Sequence, residues 1–263
     1  MKEPFKILNN NLLALYEDAV PLLGGAPFES LEDSELSIEN FSFYTSVSAV
    51  YSSKIEGEEI ELDAYLKHKK SGISFKKNYT KKIDDLYAAY SFAKNNMLNI
   101  DNVHKSHALI TRNILAASNQ GKLRKGNMYV LTDFGKIEYV AAAANIISVE
   151  IEKLFVDIAL LLNTNLSFLE TFFYAAQIHL VFVKIHPYED GNGRTARLLE
   201  KWFLSEKLGS KAWFLLSEKN YYLHHNLYYQ NLRKLGMEYD FLDYEQSLPF
   251  LLMLANSLNL HNQ

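Results

Sequence analysis

The chain contains no cysteine, which excludes a disulfide framework, a thiolate metal site and a thiolate nucleophile. It also lacks a strong surplus of either charge: 27 basic and 31 acidic residues give a formal net charge of −4 and a pI near 6.1. A protein that binds nucleic acid over its whole surface carries a large positive excess, so that class is not expected here. Met1 to Asn10 lacks the basic-then-apolar order of a secretory signal. The most apolar stretch, Leu169 to Ile185, is interrupted by Glu170, Gln177, His179 and Lys184, and falls short of the roughly 20 residues that span a bilayer. The expectation is a cytoplasmic protein with no membrane partner, and Leu169 to Ile185 reads as the buried central helix of an all-α fold. What the chain does have is apolar residues, 48% of 263, enough for one large core or two small ones.

The most informative stretch runs from His186 to Arg197: His-Pro-Tyr-Glu-Asp-Gly-Asn-Gly-Arg-Thr-Ala-Arg. An almost wholly apolar run, Phe172 to Ile185, precedes it, and apolar residues recur at helical spacing from Thr195 to Leu208. The stretch is therefore a polar turn between two helices. Pro187 fixes its own φ and disfavours the α region at His186, so the incoming helix stops there. Gly191 and Gly193 can adopt angles closed to other residues, which would let successive N–H groups converge on an anion. That concavity opens onto the first turn of the next helix, where unpaired N–H groups and the macrodipole favour phosphate. Arg194 and Arg197 are three apart, share a face, and offer forked donors to phosphate oxygens. Asp190 is a hard oxygen ligand suited to Mg²⁺. His186, with an ordinary pKa of about 6.5, is largely neutral at cellular pH and can take a proton from an attacking hydroxyl.

With those residues in place, the stretch resembles the signature of the Fic (filamentation induced by cAMP) family, His-Pro-Phe-x-Asp-Gly-Asn-Gly-Arg-x-x-Arg. It departs only at Tyr188, where the family usually has Phe and where an aromatic ring is kept. The resemblance implies an all-α, Fic-type helical bundle with a small β-hairpin flap over the active site. It implies an ATP- and Mg²⁺-dependent transferase that moves AMP to a protein hydroxyl and releases pyrophosphate. By position, His186 becomes the general base, Asp190 the Mg²⁺ ligand, and Gly191, Asn192 and Gly193 the anion hole. Asn192 and Arg194 then face the α- and β-phosphates and Arg197 the γ-phosphate, with Thr195 and Ala196 inside the same ATP-binding stretch.

The rest of the chain can be read in order. Phe5 to Leu23 has the spacing of a short amphipathic helix, ended by Gly24, Gly25 and Pro27. Ile38 to Leu66 reads as one long helix or two, interrupted near Gly57. Within it, Ser52-Ser53-Lys54-Ile55-Glu56-Gly57 is similar to the family's inhibitory motif, [Ser/Thr]-x-x-x-Glu-[Gly/Asn]. The resemblance implies that Glu56 reaches Arg197 and blocks the γ-phosphate position, with Ser52 on the same helix face and Gly57 following. The residues alone also allow Glu56 to be a surface charge before a glycine cap. Lys67 to Lys82 is rich in lysine and reads as a solvated linker in preference to a nucleic-acid contact. Ile83 to Met97 and Val103 to Ala116 read as helices, with His104 and His107 in packing or surface roles. Met128 to Leu131 and Lys136 to Val140 are β-type runs around Thr132-Asp133-Phe134-Gly135, a hairpin pattern.

That hairpin, preceded by Gly121 to Arg124, is similar to the family's flap. Met128, Tyr129, Val130 and Leu131 would then dock the target's backbone as an added strand. Ala141 to Ala144 stands where the family often has two prolines. Val149 to Leu162, Asn220 to Leu235 and Glu245 to Leu260 read as further helices. Tyr228-Tyr229-Gln230-Asn231-Leu232 is similar to a stretch that helps form the family's adenine pocket, which implies base stacking by Tyr228 or Tyr229.

The organisation expected is an N-terminal helical region with the inhibitory helix (1–70), a Fic core (71–240) and a C-terminal helix packed on it (241–263). The leading function is a protein adenylyltransferase held back by Glu56, acting on a target hydroxyl of Ser, Thr or Tyr, the chain's own hydroxyls included. One alternative is removal of AMP, with Glu56 orienting water; another is a module that binds ATP and transfers nothing. Homo-oligomers are compatible with either.

Overall fold

The structure, a computed structural model, describes residues 5–20, 26–38, 41–71, 80–131 and 137–262. Among them are twelve α-helices and one two-stranded sheet. The helices are α1 (Leu13–Ala19), α2 (Ala26–Glu29), α3 (Phe43–Ile55), α4 (Leu62–Ser71), α5 (Lys81–Lys94) and α6 (Ile100–Ile110). After the strands β1 (Tyr129–Leu131) and β2 (Ile137–Val140) come α7 (Ile147–Leu162), α8 (Phe168–Ile185), α9 (Asn192–Leu208), α10 (Ser217–Leu223), α11 (His225–Lys234) and α12 (Leu248–Asn256). The fold is all-α with one hairpin.

α8 is the axis. It starts at a capping box in which Ser167 accepts from the Glu170 N–H while the Glu170 side chain accepts from the Ser167 N–H, two otherwise unpaired donors satisfied at once. From Thr171 to Ile185 every residue is buried. At 18 residues it is longer than the sequence reading allowed and apolar enough to cross a membrane, but its surface is taken up by α1, α7, α9 and α12, as in the core helix of a globular bundle. α9 follows after a six-residue break and packs along it; α5, α6 and α3 close the other side of α9.

Several boundaries differ from the sequence reading. Phe5 to Leu12 is not helical, because the N–H groups of Lys6, Ile7 and Leu8 are captured by the Asp157 carboxylate of α7 at 2.7, 2.8 and 2.8 Å. Backbone donors bound to a side chain that distant in sequence have no need of a helical partner. Ile38 to Leu66 divides into α3 and α4, with Ser42 capping α3 and Gly57 at φ 86° behind it. Asn220 to Leu235 divides at His224 into α10 and α11. Gly24 and Gly25, half of the lysine-rich stretch (72–79) and the hairpin turn (132–136) lie outside the described residues.

Candidate active site

The site forms where α8 hands over to α9. His186 caps α8 in the left-handed region (φ 52°, ψ 60°), the one non-glycine residue with positive φ among those described. A residue with a Cβ stays there only if its surroundings hold it. Arg124 does so: its Nε donates to the His186 carbonyl at 2.8 Å, its own N–H to the Pro187 carbonyl at 2.9 Å, and Nη2 to the carbonyls of Ala142 and Ile185. The helix-end carbonyls that α8 leaves open are thereby paired.

The turn that follows is braced from below. Tyr188 is fully buried, its ring stacked on His107 at 3.6 Å and its hydroxyl 2.7 Å from His104 Nδ1; a phenylalanine could not make that second contact. His107 accepts from the Gly121 N–H at Nδ1 (2.9 Å) and donates from Nε2 to the Asp190 carbonyl (2.8 Å). Both ring nitrogens are therefore used by the neutral form, and burial pushes its pKa down to about 4. His104 and His107 thus brace the turn from α6, in line with a packing role.

The Asn192 side chain also serves the turn, accepting from the Tyr188 N–H and donating to the Tyr188 carbonyl. What it leaves for an anion is its backbone N–H, in the unpaired first turn of α9. Gly191 is in the left-handed region at φ 80°, and a Cβ there would lie 2.8 Å from Thr111 Cγ2. Gly193 is different. It sits within α9 without a positive φ, so conformational freedom does not account for it. A Cβ at 193 would lie 2.6 Å from Glu56 Oε1 and 3.2 Å from Arg197 Nη1, so this glycine keeps a space open between two charged groups.

Those charges define the site's electrostatics. Arg197 is buried and donates from Nε to Ser52 Oγ at 2.8 Å, and from Nη2 to the Ser52 carbonyl at 3.0 Å and to Glu56 Oε1 at 2.6 Å. Burial opposes ionisation of Glu56, but the Arg197 and Arg194 guanidinium groups outweigh it and hold its pKa below the usual carboxylate value. Burial likewise works against the Arg197 charge, and Glu56 more than offsets it. Glu56 caps α3 just before Gly57, so the helix-end reading and the inward contact both hold. Arg194 is nearly buried; Nη2 donates to Asp190 Oδ1 at 3.0 Å, while its Nε is buried with no hydrogen-bond partner. Asp190 is about half exposed and takes the Gly191 N–H on the same Oδ1. His186 is half-buried, with Nδ1 3.1 Å from the Tyr139 hydroxyl and 3.3 Å from the Val183 carbonyl; burial pushes its pKa down to about 4.

Three readings need correction. Thr195 and Ala196 do not face a ligand: the Thr195 hydroxyl and N–H both go to the Gly191 carbonyl, and Ala196 belongs to the hydrophobic core. Tyr228 is not a stacking platform. It is buried, its hydroxyl lies 3.0 Å from His179 Nε2, and Tyr221, Tyr229 and Phe250 pack about its ring. Tyr229 is half-buried against His225 and keeps the adenine role open.

The hairpin stands over the turn. β1 and β2 are antiparallel, pairing Tyr129 with Val140, Val130 with Tyr139 and Leu131 with Ile137 across a bulge, while Met128 accepts from the Ala141 N–H. The β1 residues expected to dock a target are thus on a strand whose other partner is β2, and the side chains of Tyr129 and Leu131 are exposed. Sequence reasoning missed Tyr139 and the buried Lys201, whose ammonium meets Ser48 of α3, the Leu215 carbonyl and Glu218 of α10. A lysine in the third turn of α9, between Leu198 and Leu204, was the available signal for the latter; Tyr139 gave none.

Residues 97–204 match the Fic/DOC family. The match runs from just before α6 through most of α9, and so takes in the His186–Arg197 turn. Solved structures share the fold: a Fic family protein from Desulfovibrio desulfuricans G20 at 18% identity, covering 97% of this chain and 74% of that one with a TM-score of 0.72. A Fic domain containing signaling protein from Bacteroides thetaiotaomicron VPI-5482 is also 18% identical, with 94% and 93% covered and a TM-score of 0.65. Fic-1 from C. elegans is 19% identical, with 95% and 69% covered and a TM-score of 0.64. At such identities the likeness is one of fold. Among curated proteins, none matches.

Proposed function

We propose that the protein transfers AMP from ATP to a hydroxyl of a protein target, and that Glu56 restrains it. The observation that carries this reading is the cluster at the start of α9: a buried Arg194 Nε without a partner, a glycine that keeps space beside Arg197, and a carboxylate in that space. A buried unpaired guanidinium donor is costly unless an anion completes it. The residues fit a triphosphate: unpaired N–H groups of the first turn of α9 for its inner oxygens, Arg194 beside them, and Arg197 for the outer phosphate once Glu56 moves. Asp190, with Oδ2 left over, would hold Mg²⁺, which supplies charge neutralisation on phosphate oxygens when bound.

His186 takes the proton from the acceptor hydroxyl. The oxygen then forms its bond to the α-phosphorus, the bond from that phosphorus to the bridging oxygen breaks, and pyrophosphate leaves with the electron pair. The protein's part is mainly alignment and charge stabilisation. Glu56 opposes the productive pose because a carboxylate occupies the cation that the outer phosphate needs.

The test is incubation of the Glu56→Gly variant with ATP and lysate, searching by mass spectrometry for a 5′-AMP adduct. Adducts that vanish in Glu56→Gly/His186→Ala support the reading; their absence from the single variant sinks it. A second reading, removal of AMP with Glu56 orienting water, is favoured by the placement of the Glu56 carboxylate beside Gly193, in the stretch that follows His186. Release of free AMP from a modified target by the unaltered protein would establish it.

A further inference from the structure

We infer that Tyr139, on strand β2 of the hairpin, is a positioning residue that sets which ring nitrogen of His186 is free to act as base. The inference rests on the reading of His186 as the proton acceptor, and its first test does not depend on turnover.

The Tyr139 oxygen lies 2.9 Å from the Val183 carbonyl and 3.1 Å from His186 Nδ1, while Nδ1 itself lies 3.3 Å from that same carbonyl. A phenol has one proton to give. If it goes to Nδ1, the Val183 carbonyl faces two lone pairs at short range and receives nothing. If it goes to Val183, the carbonyl is satisfied and the phenol oxygen accepts from Nδ1–H. Of the two, the second alone satisfies the carbonyl, and Nδ1–H then faces the phenol oxygen at 3.1 Å and the Val183 carbonyl at 3.3 Å. It places the imidazole hydrogen on Nδ1 and leaves Nε2, which has no hydrogen bond among the described residues, with its lone pair. Which nitrogen is protonated is decided by the bond the other makes.

The ring that carries this hydroxyl is firmly held. Tyr139 is buried, and the Lys184 ammonium, itself buried without a hydrogen-bond partner, sits 4.2 Å over its face, a cation–π contact in a desolvated setting. The residue before it, Glu138, takes both carboxylate bonds from Arg233 of α11 at 2.6 Å, and the residue after it, Val140, donates to the Met237 carbonyl at 2.7 Å. β2 is therefore fixed from α8, α11 and the segment after it, with β1 as the outer strand. Any displacement of β2 would remove the nearer of the two oxygens that Nδ1–H faces and leave only the Val183 carbonyl at 3.3 Å, so the hold on this tautomer is tied to the seating of the hairpin.

The test is the ¹⁵N–¹H long-range spectrum of His186 in the nucleotide-free protein, assigned by its loss in His186→Ala. A dominant Nδ1–H form in the unaltered protein that gives way to Nε2–H in Tyr139→Phe is the expected result. A dominant Nε2–H form in the unaltered protein overturns the inference, whether or not the variant folds, and so does an unchanged Nδ1–H population in a folded Tyr139→Phe. In the Glu56→Gly background, Tyr139→Phe should lower kcat for AMP transfer by roughly tenfold or more, a fraction of what a general base contributes, with KM for ATP unchanged. Lys184→Met, which keeps the hydroxyl, should retain the Nδ1–H form. Should Glu56→Gly transfer no AMP at all, the transferase reading fails while the spectrum still decides this one.

Discussion

Glu56 Oε1 and Arg197 Nη2 lie 2.6 Å apart across the start of α9, and the same carboxylate oxygen occupies the space where a Cβ on residue 193 would stand. Arg197 is 1% exposed at its side chain, so removing Glu56 leaves a buried cation with neutral partners, Ser52 and the Tyr228 hydroxyl, and no counter-charge bonded to it. Glu56→Gly should therefore melt at a lower temperature than the unaltered protein when no nucleotide is present. MgATP should restore the difference, because a phosphate returns the missing negative partner. A thermal shift with MgATP that is larger in Glu56→Gly than in the unaltered protein is the expected measurement; equal shifts would mean that Glu56 and the nucleotide do not compete.

Gly193 gives an independent check on where the outer phosphate goes. Its replacement by Ala is not a backbone problem, since the residue is helical, but puts a methyl against Glu56 and Arg197. Gly193→Ala should abolish the MgATP shift in both the unaltered and the Glu56→Gly backgrounds. Gly126→Ala, where nothing lies within 4 Å of the added carbon, should leave it intact.

The twelve-residue turn could be read from sequence because its parts are contiguous: Pro187 stops one helix, the first-turn residues start the next, and the charges sit between them. The central helices were legible through apolar spacing. Contacts across the chain were not. Glu56 and Arg197 are 141 residues apart, and nothing in either segment points to the other without the family likeness. Asp157 captures the amides of Lys6 to Leu8 from a similar distance, which is why an amphipathic pattern there did not become a helix. Tyr228 shows a different limit: helical spacing places an aromatic on a face but does not say whether that face meets a ligand or, as here, His179 and Phe250.

Acid should loosen the floor of the site. His107 is neutral in the fold, because burial pushes its pKa down to about 4; protonation would also set a donor at Nδ1 against the Gly121 N–H. The unfolded chain binds that proton near pH 6.5. Stability from this group is therefore complete above about pH 7, falls as the pH drops below 6.5, and is lost by about pH 4, a change on the order of 3 kcal/mol. His186, also shifted down to about 4, adds to the same slope. Denaturant midpoints measured from pH 7 to 4.5 should decline, and in His107→Gln, which can accept from Gly121 and donate to Asp190, the decline should be about half as steep. An equal slope in the variant would place the acid sensitivity elsewhere.

If Glu56 lets go, the rest of α3 stays fixed. One helical turn beyond Arg197 on α9, Lys201 donates to Ser48 Oγ at 2.7 Å and pairs with Glu218 at 2.5 Å, while the Tyr90 hydroxyl donates to the other Glu218 oxygen at 2.6 Å. Burial opposes the Glu218 charge, but Lys201 outweighs it and holds the pKa below the usual carboxylate value. α3 is thus tied to α9 twice, at Ser52 and at Ser48, and the second tie does not involve Glu56. Lys201→Met should cost about 3–5 kcal/mol, because it strands a buried carboxylate. Lys201→Met/Glu218→Leu should be less destabilised than that single variant, since no unpaired charge remains. If Glu56 restrains the site as proposed, its release is then a movement of the last turn of α3, not of the helix. In Glu56→Gly with bound MgATP, amides of residues 47–50 should keep their hydrogen-exchange protection while those around 55–58 lose it. Loss of protection along the whole of α3 would show that the Lys201 tie does not hold it.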